Sequence, residues 1–345
     1  MPDSILITGG AGFIGVNVAA HYLAAGQRVV IFDNFSRAGT EQNLAWLRAE
    51  GGKELIVLRG DVRSPDARFQ EEVERARVLF HFAAQVAVTT SVTDPATDFA
   101  INALGTFNVL EAVRRSTSRP IVLYSSTNKV YGKLAAIPVT ELGSRYAYTA
   151  LPHGVPESVP LDFYSPYGCS KGSGDQYVID YARIFGLRTV VFRQSCIYGP
   201  HQFGLEDQGW VAWFTIRALQ GQPVVIYGDG KQVRDILFID DLVGAYEAAI
   251  SRIDQVSGRA YNIGGGPAFT LSLLELIDLL GREHAKELPH SFGAWRPGDQ
   301  RIFVSDIQKA KAELGWEPRV GPEAGVGLLA DWLTRNQALL ASVLA

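Results

Sequence analysis

The chain has 345 residues, 47% of them apolar and 20% charged, which suits one large α/β domain with a second lobe and a sizeable core. A net charge of −4 leaves no basic surface for nucleic acid or an anionic membrane, so an anionic ligand has to be met by a few placed arginines. Two cysteines, Cys169 and Cys196, exclude a disulfide scaffold; with no charged n-region at the start and no run near the roughly 20 apolar residues of a membrane helix, a soluble cytoplasmic protein is expected.

Short apolar runs alternate with amphipathic stretches from the start. Ser4–Thr8 predicts a strand and Gly12 the opening of a helix. Arg28–Phe32 predicts a strand, followed by a helix from Thr40. Glu54–Leu58 is next, with a helix from Pro65, then Val78–Phe82 with a helix from Asp98. Pro120–Tyr124 precedes a Pro-rich stretch, Glu141–Pro166, read as one long ordered loop beside the site. A helix from Tyr167 and a strand at Arg188–Phe192 complete the rhythm. This is an α/β pattern, a doubly wound parallel sheet. After Phe192 the rhythm loosens into a smaller, interleaved α/β lobe. The expected division is 1–195 plus 236–266 for the first domain and 196–235 plus 267–345 for the second lobe.

The first turn reads Thr8-Gly9-Gly10-Ala11-Gly12-Phe13-Ile14-Gly15, between a strand and a helix. The glycines allow a tight turn and close approach of backbone N–H groups to a pyrophosphate, at a helix start that carries partial positive charge. Gly9, Gly12, Phe13 and Ile14 are therefore candidate cofactor contacts. Asp33 ends the second strand about 20 residues later, where a carboxylate takes the ribose hydroxyls. It would repel a 2′-phosphate, so NAD is favoured over NADP, although Arg37 lies close. Asn34, Ser36 and Arg37 follow as further candidates. Asp61 and Val62, at the end of the third strand, fit the adenine edge; a helix N-cap at Asp61 is an equally good reading.

Tyr167 and Lys171 stand four apart, on one face of a helix. A tyrosine titrates near ~10 and needs a nearby ammonium to act as a base at neutral pH. The preceding strand ends in Tyr124-Ser125-Ser126-Thr127, at the strand end where ligands of doubly wound sheets bind. Taken alone, the Tyr/Lys pair is equally a surface helix contact.

Glycine turn, acid, hydroxyl and Tyr/Lys pair in this order resemble the extended short-chain dehydrogenase/reductase family, the NAD-dependent epimerases and dehydratases with a Rossmann fold. The resemblance implies Thr127, Tyr167 and Lys171 as catalytic residues, with Tyr167 and Lys171 also touching the cofactor. His81-Phe82-Ala83-Ala84 resembles the family's fourth strand end, so Phe82, Ala83 and Ala84 join the cofactor side together with Asn102. By periodicity His81 is a core histidine. Gln85, Asn128, Gln194, Cys196 and Gln208 are implied on the substrate side. The family's dehydratases carry Asp-Glu directly after the catalytic threonine, an acid and base for removing water. Here Asn128 and Lys129 replace that pair, which leaves hydride transfer without elimination.

The phrases at 126–132, 165–172, 207–211 and 230–235 resemble the family's 2-epimerases of CDP-hexoses. Trp210, Trp213 and Phe214 read on bare physics as a helix core face. Arg234 and Arg296 resemble the family's diphosphate ligands, a role that suits a bidentate guanidinium; the plain alternative for each is a salt bridge to Asp235 or Asp299. The implied activity is epimerisation of a nucleotide-diphosphate sugar at C2, through a ketosugar, with NAD as the cofactor and no metal. A 4-epimerase on the same residues and a non-catalytic NAD(H)-responsive binding protein are the alternatives. The family also implies a homodimer or homotetramer.

Overall fold

The computed structural model describes residues 3–206, 208–284, 288–296 and 299–344. Asp207, from the phrase at 207–211, lies outside them, as do Pro297 and Gly298 directly after Arg296. The strands are β1 (Ser4–Thr8), β2 (Val29–Asp33), β3 (Leu55–Arg59), β4 (Ala76–His81), β5 (Ile121–Thr127), β6 (Val139–Leu142), β7 (Arg145–Tyr148) and β8 (Thr189–Gln194). There follow β9 (Cys196–Tyr198), β10 (Val224–Tyr227), β11 (Val233–Phe238), β12 (Arg259–Ile263), β13 (Thr270–Ser272), β14 (His290–Gly293) and β15 (Ile302–Phe303). The helices are α1 (Phe13–Ala24), α2 (Thr40–Gly51), α3 (Ala67–Arg75), α4 (Val88–Thr93), α5 (Pro95–Phe99), α6 (Gly105–Arg115) and α7 (Ser165–Phe185). After them come α8 (Trp210–Leu219), α9 (Ile239–Ser251), α10 (Ile253–Val256), α11 (Leu273–His284), α12 (Gln308–Leu314), α13 (Pro322–Arg335) and α14 (Gln337–Leu344).

Seven strands form one sheet in the order β12-β8-β5-β4-β1-β2-β3. β1 pairs in parallel with β2 on one side and β4 on the other, so Ile7 lies between Ile31 and Phe80. The winding reverses there, the place where ligands of doubly wound sheets bind. β1, β2 and β8 are buried throughout, as expected of strands covered on both faces. On one face Leu6, Val30, Leu79 and Val122 pack with Phe69 and Val73 of α3, Val109 and Val113 of α6, and Val178 of α7. On the other, Phe80 meets Tyr22 of α1 and Tyr246 of α9, with ring centroids 5.6 and 5.4 Å away. Each such buried side chain contributes about 1.5–3 kcal/mol.

By chain contacts, residues 1–130, 165–193 and 243–261 form one unit, and 131–164, 194–242 and 262–345 a second. In the second, β11 pairs with β9 and β15 in parallel and with β13 antiparallel. β10 pairs with β14.

Two expectations are corrected. The stretch read as one long loop contains the antiparallel hairpin of β6 and β7, with Val139 opposite Tyr148. Its two-residue Gly143-Ser144 turn places Gly143 at φ 59°, the left-handed geometry a tight hairpin requires. The hairpin is fastened by burial of Tyr146 against Val233, Ile302 and Val304. The helix expected from Asp98 begins at Pro95, with Asp94 as its cap accepting from Thr97 N at 3.0 Å. A π turn over Ala100–Leu104 then separates α5 from α6. Among the described residues no helix is long and apolar enough to cross a membrane, and no three His, Cys, Asp or Glu side chains are placed to hold a metal.

His81, at the end of β4, is buried between the hydroxyls of Thr8 (2.7 Å) and Thr106 (3.0 Å). Burial, then the charge of Lys171, pushes its pKa down to about 3. Below ~6.5 the unfolded chain binds a proton that the folded chain refuses, so His81 subtracts stability as the pH falls from there towards 3. With His81→Asn, the loss of unfolding free energy between pH ~6.5 and ~5 should shrink by on the order of 1.5 kcal/mol. Urea titration of both proteins at the two pH values measures it.

Candidate functional site

In the first unit the candidate residues gather at the carboxyl ends of β1, β2, β4 and β5. Gly9 sits at φ +69°, and a Cβ there would lie 2.6 Å from Ala83 N, so only glycine lets the first turn rest on the end of β4. Gly12 caps α1 without a side-chain hydrogen bond, leaving the helix start at Phe13 and Ile14 to a ligand anion. Phe82 N donates to Thr8 O (3.0 Å) and Ala83 N to Thr8 Oγ1 (3.4 Å), holding the segment that runs on to Ala84 against the turn.

Asp33, nearly buried, accepts from Ala11 N (3.0 Å) and Phe35 N (2.8 Å). Burial raises its pKa, and the backbone N–H groups of Phe35, Ala11 and Asn34 oppose the rise. Asn34 donates to Asp61 (3.0 Å) and accepts from Ser36 N (3.0 Å). Asp61 is not a helix cap: Asp66 caps α3, while Asp61 takes a forked pair from Arg63 at 3.0 and 2.7 Å. That pair holds its pKa down at about 2. Val62 is buried in the core. Arg37 is solvent-accessible, yet burial of its guanidinium lowers its pKa and Tyr167 is its electrostatic neighbour.

Tyr167 and Lys171 are buried on α7, which starts at Ser165, itself in the left-handed region (φ 75°). Lys171 Nζ donates to Ser125 O at 2.6 Å and lies 4.3 Å from the Tyr124 ring centroid. Burial lowers its pKa to about 7 against the pull of Asp175 and Asp98. Burial pushes Tyr167 up to about 12, with Thr127 and Arg37 pulling it down and Asp98 pushing it further up. The lowering expected beside an ammonium does not outweigh burial, because both partners are desolvated together. Thr127 Oγ1 accepts from Lys129 N (3.2 Å) and donates to Asn128 Oδ1 (3.4 Å).

Gln85 and Asn102 exchange two bonds, Gln85 N to Asn102 Oδ1 (2.9 Å) and Asn102 Nδ2 to Gln85 O (3.0 Å). The Gln85 side chain is spent inside the protein, on Ala87 and Asp98. Two features escaped the sequence reading. Asp98 is wholly buried beside Asn102. Asp175 and Arg193 form a buried ion pair (2.9 Å) that also takes the Ser126 hydroxyl (2.7 Å). A lone arginine, Arg193, directly after the strand-like run Thr189-Val190-Val191-Phe192 was the available signal for the second.

The second unit holds the remaining candidates. Gln194 ends β8 and is buried. Cys196 accepts from Trp210 Nε1 at 3.3 Å. Phe214 is buried on α8, Trp210 meets it edge-on at 6.2 Å, and Trp213 is only half-buried under Arg217. Gln208 is tied through its backbone to Leu205, and its buried Oε1 has no hydrogen-bond partner. Arg234 pairs with Asp299 (2.7 Å), while Asp235 is buried and accepts from the Ser195 hydroxyl. Arg296 donates to Glu206 O (3.3 Å) and stacks on Tyr227 at 4.0 Å.

A glycine turn at the reversal of a Rossmann sheet, a carboxylate ending β2 and a buried Tyr/Lys pair define a dinucleotide-dependent enzyme. The residues fit NAD: the first turn has no room for a Cβ at Gly9, the start of α1 lacks a side-chain cap, and Asp33 supplies a carboxylate. The model of the NAD dependent epimerase/dehydratase family matches residues 5–264, and the chain belongs to that family; it is an NAD-dependent enzyme. It is 45% identical to the CDP-paratose 2-epimerase of Salmonella typhi over 95% of this chain and 98% of that one. It is 33% identical to a dTDP-glucose 4,6-dehydratase of Xanthomonas campestris, with 98% and 95% covered. Among solved structures, the UDP-glucuronic acid 4-epimerase of Bacillus cereus in complex with UDP-glucuronic acid and NAD aligns with a TM-score of 0.82 at 27% identity, covering 96% of this chain and 99% of that one.

Proposed function

We propose that the chain epimerises a nucleotide-diphosphate sugar at C2 of a CDP-hexose, of the CDP-paratose/CDP-tyvelose type, by transient oxidation to a ketosugar and reduction from the other face. The observation that carries this is the 45% identity to a CDP-paratose 2-epimerase over nearly the whole of both chains. Asn128 and Lys129, where dehydratases of the family carry acids, support epimerisation over loss of water.

Bound over the first turn, NAD supplies the acceptor and donor of hydride. The chain's own residues handle the proton. Tyr167 takes it from the C2 hydroxyl, helped by the positive charge of Lys171 and Arg37, and returns it to the ketone oxygen. Burial keeps Tyr167 in the protonated form that the return step needs; the removal step needs the phenolate, which nearby positive charge favours. The Thr127 hydroxyl donates to the oxygen as it becomes a carbonyl. Arg234 and Arg296 hold the diphosphate, exchanging their contacts to Asp299 and Glu206 for phosphate oxygens. Gln208 offers its unpartnered oxygen to a ligand donor, and Gln194 and Cys196 border the sugar.

Incubation with CDP- and UDP-hexoses in deuterated buffer, followed by proton NMR without added cofactor, tests this. C2 inversion without deuterium uptake is the expected result. Inversion at C4 would make the protein a 4-epimerase, the reading favoured by the solved relative that binds UDP-glucuronic acid.

The assembly in this reading is a homodimer or homotetramer, working in the cytoplasm. Phe99, Leu104, Phe107, Tyr177, Ile184 and Phe185 are exposed on α5 to α7, an apolar patch that a second copy would cover. A Phe107→Asp, Ile184→Asp variant should run as a monomer in light scattering after gel filtration, and an unchanged mass would remove this face from the interface.

A further inference from the structure

Asp98 is an oddity of the first unit. It is wholly buried at the end of α5, next to the π turn that carries Asn102. Its Oδ1 accepts from Gln85 Nε2 (3.0 Å) and Asn102 Nδ2 (3.1 Å). Its Oδ2 is buried with no partner in hydrogen-bonding geometry. Both bonds come from amides, which a neutral carbonyl oxygen would accept equally well; burial raises the Asp98 pKa, and Ser170, Gln85, Lys171 and Asn102 oppose the rise. The negative charge is surplus to that task and costly to bury.

A route for its use leads to α7. The same Asn102 Nδ2 that holds Asp98 bonds Ser170 Oγ at 3.1 Å, and Ser170 Oγ donates to Tyr167 O at 3.2 Å. Ser170 directly precedes Lys171. The charged and titratable groups about Lys171 are Asp98 from α5, Asp175 and Tyr167 from α7, His81 from β4 and Tyr124 from β5. His81 is neutral over the working range, and Tyr124 is held protonated by burial. Asp175 is already shared with Arg193 and Ser126. Asp175 pulls more strongly on Lys171 than Asp98 does, but among the described residues Asp98 is the one of the two that no arginine shares.

We propose that Asp98 is a positioning residue for the Tyr167–Lys171 pair, its carboxylate aligning the Asn102 amide and supplying the negative charge that keeps Lys171 an ammonium inside the protein. The inference rests on the reading of that pair given above. The same charge disfavours the Tyr167 phenolate, so Asp98 sets the balance of charge between the two residues rather than touching substrate itself.

Asp98→Asn keeps the shape and the accepting oxygen and removes only the charge. With carbon-13-labelled lysine, the Lys171 side-chain resonance, assigned by its loss in Lys171→Met, should titrate about one pH unit below its midpoint in the wild type. The alkaline limb of the turnover profile should move in the same direction. Coincident lysine titrations, with turnover lowered equally at every pH, would make Asp98 a scaffold residue and overturn the proposal. If Asp98→Asn does not fold, Asp98→Ser is titrated in its place. The resonance needs neither substrate nor turnover, so a wild type without epimerase activity overturns the preceding function and leaves this test decisive.

Discussion

Replacing Tyr167 with phenylalanine should lower epimerase turnover by about 10²–10⁴-fold, the usual contribution of a positioned proton-transfer group. The substitution removes one oxygen from a buried ring and leaves Lys171 on the Ser125 carbonyl. NAD content after purification and the urea midpoint should therefore stay close to wild type. Thr127→Val should cost less, since it removes a hydrogen bond to the reacting oxygen and leaves the proton acceptor in place. Near-normal turnover of the Tyr167→Phe protein, measured by NMR on the preferred sugar, would refute the assignment of Tyr167 as the proton carrier.

The largest stability effect is expected at Asp175. Its two oxygens take Arg193 Nε (3.0 Å) and Nη2 (2.9 Å) and the Ser126 hydroxyl, with no exposure to water. Asp175→Ala strands a guanidinium in the core between α7 and β8, and breaking such a pair costs about 3–5 kcal/mol. The cost arises from the unpaired charge, so the double change Asp175→Leu, Arg193→Met should recover most of it. Urea midpoints of single and double variants decide this. A double variant as unstable as the single would place the cost in packing instead.

The sheet was legible because its strands are short, apolar and evenly spaced: β1 falls on Ser4–Thr8 as expected, and the other five expected strands, β2 to β5 and β8, shift by a residue or two at their starts. The hairpin of β6 and β7 was lost among prolines and turn formers, although Gly143-Ser144 is a two-residue hairpin signal between strand-like runs. The glycine turn, Asp33 and the Tyr/Lys pair were visible as residue types at a spacing. What the spacing could not carry was their surroundings. Whether Tyr167 sits beside an effective cation depends on desolvation, which has no trace in Tyr-x-x-x-Lys. Asp98 reads as an ordinary helix acid, and only its depth makes it unusual. The partners of Arg234 and Arg296 were likewise set by folding, which gave Asp299 to the first and Glu206 to the second.

The two units are each assembled from three separated stretches, and the backbone passes from one to the other after residues 130, 164, 193, 242 and 261. During synthesis this order matters. The first unit is not complete until Tyr261 has left the ribosome, because β12 at the far edge of its sheet is among the last pieces made. A nascent chain halted near residue 200 would hold β1 to β5 and β8 with their outer edge uncovered, a surface open to chaperones and to pairing with other chains. No single cut through the gene separates the cofactor-binding half as an independent product; obtaining it alone would require rejoining the three stretches by new linkers.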